Sequence, residues 1–329
     1  MPVLVLSASD LRELLTQDEC RSAMREALSA LALGQVHQPA QRPVLAPEGA
    51  AGLLGLMPAY TEEDEPIYSL KAVCLFPGNT ALGLDSHQGA VLLFSGRTGE
   101  ALALLNASVL TELRSPAVTA VATELLARED SSELTIFGAG VQGRAHARAL
   151  SAIRPFRRIR IVARNQDRLR RVCTELEMEL GLPVEPCASA RAAVSSSDVL
   201  VTATTSLEPV LESSWIQPGT HINAIGSAIP NSREIDSATM AACSLFVDSR
   251  EALPVETGDF LVAESEGAIG RGHIRASIGE ILIGHAASRT SESEITLFNS
   301  VGLAVEDLYA ARRALTLAEQ HGSGVRVTF

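Results

Sequence analysis

The sequence predicts an α/β chain, a doubly wound parallel sheet joined to a second α+β domain. Three observations predict it. From Leu134 onward, short apolar runs alternate with helical stretches, the mark of parallel strands covered on both faces. A glycine motif, Gly138-x-Gly140-x-x-Gly143, separates the first of these runs from an alanine-rich helix. The residues before it read instead as longer strands, two of them joined as a hairpin. At 329 residues, with 46% hydrophobic and 20% charged, the chain has room for about two domains and a full core.

The elements follow in order. Residues 16–34 are predicted as a helix: Thr16-Gln17-Asp18-Glu19 reads as a capping box and Gly34 as the stop, with Cys20, Met24, Ala27 and Leu31 on one face. Strands are expected at Leu53–Tyr60, Ile67–Phe76 and Ala90–Ser95, with Gly96-Arg97-Thr98-Gly99 turning the last into Glu100–Leu105. Two helices, 109–114 and 116–127, are expected to meet at Ser115-Pro116, with serine as N-cap and proline in the first turn. The parallel strands are expected at 134–138, 159–163, 198–204, 220–225 and 245–248. A final helix over 302–321 carries Val301, Ala304, Val305, Leu308 and Ala311 as one stripe and is expected to return to the first domain. The expected division is therefore 1–115 completed by 307–329, with 116–306 between.

The turn Gly138, Ala139, Gly140, Val141, Gln142, Gly143 follows the Rossmann-type fingerprint. The first glycine permits the tight turn, the second lets backbone approach a pyrophosphate, and the third lets helix pack on strand. The helix N-terminus then offers N–H groups and a positive dipole end. A nicotinamide dinucleotide is the expected cofactor. At the tip of the second strand the chain reads Ala163-Arg164-Asn165 with no carboxylate for a ribose 2′-hydroxyl. Arg164 suits a 2′-phosphate, so NADPH is expected to be preferred, with NADH also used. The alternative is a solvated arginine opening a surface helix.

Other classes are disfavoured. A net charge of −12 argues against nucleic acid. No run of about eighteen apolar residues suggests a membrane span. Cys20, Cys74, Cys173, Cys187 and Cys243 are scattered without CxxC or His spacing, so no metal site is expected. Met1-Pro2-Val3-Leu4 lacks a basic stretch and acidic residues follow early, so a cytoplasmic enzyme without a signal peptide is expected.

Three cations stand on an apolar background: Arg42, Lys71 within a strand pattern, and Arg114. Taken singly each reads as a solvated charge; a cleft holding all three would suit a small carboxylate. Several segments then resemble the ornithine cyclodeaminase/mu-crystallin family: Leu56–Tyr60, Leu70–Val73, Asp85–Phe94, Leu110–Ser115, Phe137–Gln142, Gly219–Gly226 and Phe298–Asp307. The matches run in order over nearly the whole chain.

The resemblance implies a homodimer acting on a small imino or amino acid. Its first domain, completed by the C-terminal helix, would serve substrate binding and dimerisation. Residues matching Arg42, Lys71 and Arg114 bind the substrate carboxylate in the family, with Lys71 as the candidate proton donor. Those matching Ser86, His87, Thr204, Ile225 and Ser300 lie around the nicotinamide or its ribose. Glu256 matches a position at the substrate pocket, Ser115 keeps a hydroxyl suited to a phosphate contact, and Glu306-Asp307 are expected to tie a helix start to the nucleotide domain. One departure separates subgroups. Cyclodeaminases and related alanine dehydrogenases carry an acid/base Asp where this chain has Ser227, which lacks a carboxylate. Around Ser227, Gly226–Asp236 is closer to the mu-crystallin-like ketimine reductases. The resemblance thus implies reduction of ketimines such as Δ1-pyrroline-2-carboxylate or Δ1-piperideine-2-carboxylate. Ornithine cyclodeaminase, an alanine or opine-type dehydrogenase, and a non-catalytic NADPH-dependent binding protein remain as alternatives.

Overall fold

The computed structural model describes residues 2–227 and 229–328; Ala228, one position of the Gly226–Asp236 run, lies outside them, as do Met1 and Phe329. The chain forms two compact units. One runs to Ala117 and resumes at Leu303; the other spans Val118–Gly302.

The first unit is built on a mixed sheet. Its strand order is Val325–Val327, Val3–Leu6, Ala101–Asn106, His87–Ser95, Ile67–Leu75, Leu53–Thr61 and Val36–His37, with Val44–Leu45 also paired to Leu53–Thr61. Only Val3–Leu6 and Ala101–Asn106 pair in parallel. The hairpin at Gly96–Gly99 joins His87–Ser95 to Ala101–Asn106. Alternation along Ile67–Leu75 sets the two faces. Ile67, Ser69, Lys71 and Val73 are buried, whereas Tyr68 is exposed and Leu70, Ala72 and Cys74 are half-buried. Helix Ala304–His321 packs on the strands of this sheet and against helix Gln17–Ala32. The apolar stripe of the final helix explains that packing: Ala304, Val305, Leu308 and Ala311 are all buried. The opposite sheet face, with Leu54, Leu56, Pro58, Tyr60, Leu92 and Phe94, is only half-buried.

Among the described residues, the second unit carries eight strands, all adjacent pairs parallel. Their order is Val184–Pro186, Arg158–Val162, Glu133–Phe137, Val199–Thr202, His221–Ala224, Thr296–Asn299, Ser244–Val247 and Ile274–Ser277. The chain starts at Glu133–Phe137, moves outward two strands on one side, then crosses to Val199–Thr202 on the other. That reversal places a switch point between these two strands, where open α/β sheets bind ligands. The central strands are apolar because both faces are covered; Leu134, Ile136, Val199 and Val201 are fully buried.

The structure corrects one local expectation. Ser115 does not cap a second helix; a single helix runs Ala107–Leu126 with Pro116 inside it. Proline gives no N–H to the Glu112 carbonyl, at a cost of about 3 kcal/mol. Leu110, Ala117, Val118 and Val121 are buried on either side, and each large apolar side chain removed from water contributes about 1.5–3 kcal/mol. Burial outweighs the missing bond, and the helix continues. The strands at 184–186, 274–277 and 296–299 are further additions to the five expected. Among the described residues, no helix is long and apolar enough to cross a membrane.

Candidate active site

Within the first unit, strand alternation turns Lys71 toward the helix-covered face, in register between Met57 and Val91. Helix Ala304–His321 meets it there with two carboxylates in its first turn, where acidic groups favour the helix dipole. The Lys71 ammonium donates to both oxygens of Asp307, at 3.1 and 3.2 Å. Arg114 donates through Nε to Asp307 Oδ1 at 3.1 Å and through Nη1 to Glu306 Oε2 at 2.7 Å. That Glu306 oxygen also accepts the Leu303 N–H at 3.1 Å. All four charged side chains are buried. Glu306 and Asp307 both pair with cations of the first unit. They hold Lys71 and Arg114 inside their own unit, because a buried cation requires a counter-charge.

Burial pushes the Lys71 ammonium down to about 8; Arg114 and Arg42 push the same way, and Asp307 opposes them. Burial alone would raise the Asp307 carboxyl, but Arg114 and Lys71 hold it below its ordinary value. Arg42 and His87 belong to the same electrostatic cluster. His87 is pushed down to about 4, first by burial and then by the Lys71 charge, so its imidazole is neutral at pH 7. Its Nδ1 is buried and meets no hydrogen-bond partner among the described residues. Its backbone is fixed: the N–H donates to Asp85 Oδ1 at 3.0 Å and the carbonyl accepts from the Ser108 hydroxyl. Ser86 and Ser115 are half-buried in this unit.

One signal for this cluster stands in the sequence itself. Lys71 is the only lysine among the chain's 27 Lys and Arg residues. The other cations are all arginines, and the single ammonium is buried. An ammonium releases its proton within the range of enzyme chemistry; a guanidinium does not.

In the second unit, strand Glu133–Phe137 runs directly into Gly138, whose φ of +115° is open to glycine. A Cβ there would lie 2.4 Å from the Ala203 carbonyl oxygen, and one at Gly143 would lie 1.8 Å from that of Gly138. A Cβ at Gly140 would meet nothing within 4 Å. Two glycines are thus demanded by packing. The third leaves an open approach at the N-terminus of helix Val141–Ile153, where Gly140 brings no side chain to cap the first turn. Ala139 is buried, Val141 is exposed, and the Gln142 carbonyl accepts His146 Nδ1 at 2.7 Å. This geometry fits a pyrophosphate.

At the carboxyl ends of the two strands beyond the switch point lies a carboxylate not anticipated from sequence. Glu234 accepts the N–H groups of Thr204 at 2.6 Å and Gly226 at 2.7 Å, linking the loop that carries Thr204 to the one that carries Ile225. Burial pushes its carboxyl up. Asp259 in turn accepts the N–H groups of Glu234 and Ile235 at 2.7 and 2.9 Å. Burial raises it to about 7. Ser227 is fully buried: its hydroxyl donates to the Ser232 carbonyl at 2.8 Å, lies 3.0 Å from Thr257 Oγ1 and accepts the Asp259 N–H. Glu256 is buried beside Thr257. The Ser300 hydroxyl donates to the buried Asp248 at 2.8 Å. Arg164 is exposed after strand Arg158–Val162, and Asn165 caps helix Gln166–Leu180 by accepting the Arg168 N–H at 2.9 Å. Glu234 and Asp248 sit in irregular segments and Asp259 opens the short helix Gly258–Ser265, so no periodicity in the sequence singles them out.

Known proteins are similar to this chain over most of its length. The Δ1-pyrroline-2-carboxylate reductase of Bacillus cereus (strain ZK / E33L) is 36% identical over 329 residues, 99% of this chain and 100% of that protein. The ketimine reductase mu-crystallin of Mus musculus is 36% identical over 279 residues, 85% of this chain and 84% of its own. The Thermococcus litoralis Δ1-pyrroline-2-carboxylate reductase, solved with NADH and L-proline, superposes with a TM-score of 0.95 at 38% identity, covering 99% of this chain and 100% of that one. The sequence profile of the ornithine cyclodeaminase/mu-crystallin family spans residues 2–320, and the chain belongs to that family.

Proposed function

We propose that the protein is an NAD(P)H-dependent ketimine reductase that converts Δ1-pyrroline-2-carboxylate, and its six-membered homologue Δ1-piperideine-2-carboxylate, to L-proline and L-pipecolate. The observation that carries this reading is the buried cation cluster of the first unit, in a chain that matches reductases of such imines end to end. Lys71, Arg114 and Arg42 bring three positive charges; Asp307 and Glu306 bring two negative ones. Such a cluster of cations suits a substrate carboxylate. Arg42 and Arg114 orient that carboxylate. Lys71 gives its proton to the imine nitrogen as the adjacent carbon accepts a hydride, so C=N becomes CH–NH, and Lys71 recovers its proton from water. A bound reduced nicotinamide supplies the hydride. Gly138–Gly143 hold its pyrophosphate, Thr204, Ile225 and Ser300 border the nicotinamide end, and Arg164 favours NADPH through a 2′-phosphate. Ser227, buried with its hydroxyl engaged, brings no base for deamination.

The half-buried apolar sheet face of the first unit, with Tyr68 exposed upon it, supports a homodimer formed through that face. Five unpaired cysteines support a reducing, cytoplasmic compartment. The test is a kinetic matrix of NADPH and NADH against both cyclic imines. The proposal expects turnover of both imines with the better kcat/KM for NADPH. No oxidation of either cofactor with any cyclic ketimine would contradict it.

A further inference from the structure

We infer that Asp307 is the positioning residue of this site, fixing the Lys71 ammonium and the Arg114 guanidinium against each other through a single carboxylate. The inference rests on the proton-donor role proposed for Lys71.

The geometry is specific. Both Asp307 oxygens receive Lys71 Nζ, and one of them also receives Arg114 Nε. Two cations that repel each other thus share one anion, and their separation is set by it. Glu306 accepts from Arg114 Nη1 through an oxygen that is itself anchored by the Leu303 N–H. The carboxylates come from consecutive residues of one buried helix turn, so neither moves independently. The charged and titratable groups facing Lys71 are Arg114 and Arg42, which disfavour its proton, the neutral His87, and Asp307, which favours it. Met57 and Val91 flank it within the sheet and offer no polar atom to an ammonium. Glu306 pairs with Arg114. Asp307 is therefore the group that keeps Lys71 charged and aimed while two arginines lie nearby. A purely structural brace would serve as well with the proton on or off the lysine; a positioning residue would not.

Because Lys71 is the only lysine, its titration is directly observable. In chain labelled with 13C-lysine, and free of lysine-containing tags, the Cε–Hε signal belongs to Lys71 alone. We expect wild type to titrate near 8. Asp307→Asn keeps shape and one acceptor but removes the charge, and is expected to lower the Lys71 midpoint by at least about one unit. The alkaline limb of the kcat/KM profile for ketimine reduction is expected to move down with it, so that activity at pH 8 falls at least about fivefold while NADPH binding is retained. Asp307→Glu restores the charge and is expected to return the midpoint toward wild type with kcat still reduced. If Asp307→Asn does not fold, Asp307→Glu carries the test through its kcat, and a wild-type kcat in that variant would overturn the inference. An unchanged Lys71 midpoint in Asp307→Asn, whatever happens to melting temperature or activity, would overturn the inference. A shifted midpoint in a protein that reduces no ketimine at any pH would leave Asp307 as the residue that fixes Lys71 and remove the proposed reaction instead.

Discussion

Lys71 and Asp307 form an ion pair almost wholly withdrawn from water, with side-chain exposures of 2% and 1%. They lie 236 positions apart in the chain. Desolvating two ions costs about what their attraction returns, so such a pair is weak evidence for stability. Its value lies in the fixed position of the ammonium.

Removing one partner should therefore be worse for the fold than removing both. Lys71→Met leaves the Asp307 carboxylate with Arg114 alone, and is expected to cost roughly 3–5 kcal/mol. Lys71→Met combined with Asp307→Asn is expected to recover most of that loss in urea unfolding. Neither protein is expected to reduce a ketimine above about 1% of the wild-type rate, since general acid catalysis contributes about 10²–10⁴-fold. A double variant no more stable than the single one would show that the pair is not coupled.

Arg164 is exposed next to the N-cap of helix Gln166–Leu180. Arg164→Ala is expected to weaken NADPH by roughly 10–100-fold and leave NADH nearly unchanged, the loss of one charge-assisted contact to phosphate. Fluorescence titration of both reduced cofactors measures it. Equal weakening of the two would remove the 2′-phosphate role.

The nucleotide-binding half was the more legible in the sequence, because its signals are local. The Gly138–Gly143 turn, the alternating strands from Leu134 and the stripe on the last helix each lie within a few residues of themselves. The strand at 296–299 escaped because its apolar run is short and follows an irregular polar segment. Lys71 and Arg114 were legible as candidates, but their carboxylate partners were not. Asp307 faces Lys71 only once a C-terminal helix crosses a sheet made near the N-terminus, and no spacing encodes that. Glu234 and Asp259 were unreadable for the same reason: each binds backbone N–H groups of distant loops. Ser115-Pro116 misled because a proline signal was read without the burial that overrides it.

Asp259 makes a pH prediction whose sign is fixed. Burial raises its folded-state carboxyl to about 7, above the ordinary unfolded value of about 4. Its contribution is fully present below the unfolded value and is lost as pH rises through the folded one. The groups facing it are the Glu234 carboxylate, the Ser227 hydroxyl and the N–H groups of Glu234 and Ile235. Asp259→Asn keeps an acceptor for those N–H groups without the charge. Relative to wild type, it is expected to gain about 1 kcal/mol per unit as pH rises from 5 to 7. Urea unfolding at both pH values checks this; a constant difference between the two proteins would rule it out.

The central claim is that this chain reduces a preformed imine and does not deaminate an amino acid. Ser227 is buried with its hydroxyl bonded on three sides and supplies no carboxylate base. The direct measurement uses one wild-type preparation for two assays: NADPH oxidation with Δ1-pyrroline-2-carboxylate, and ammonia release from ornithine. The account predicts rapid cofactor oxidation with formation of proline, and ammonia release below about 1% of that rate. Ammonia release from ornithine equal to or faster than imine reduction would contradict it.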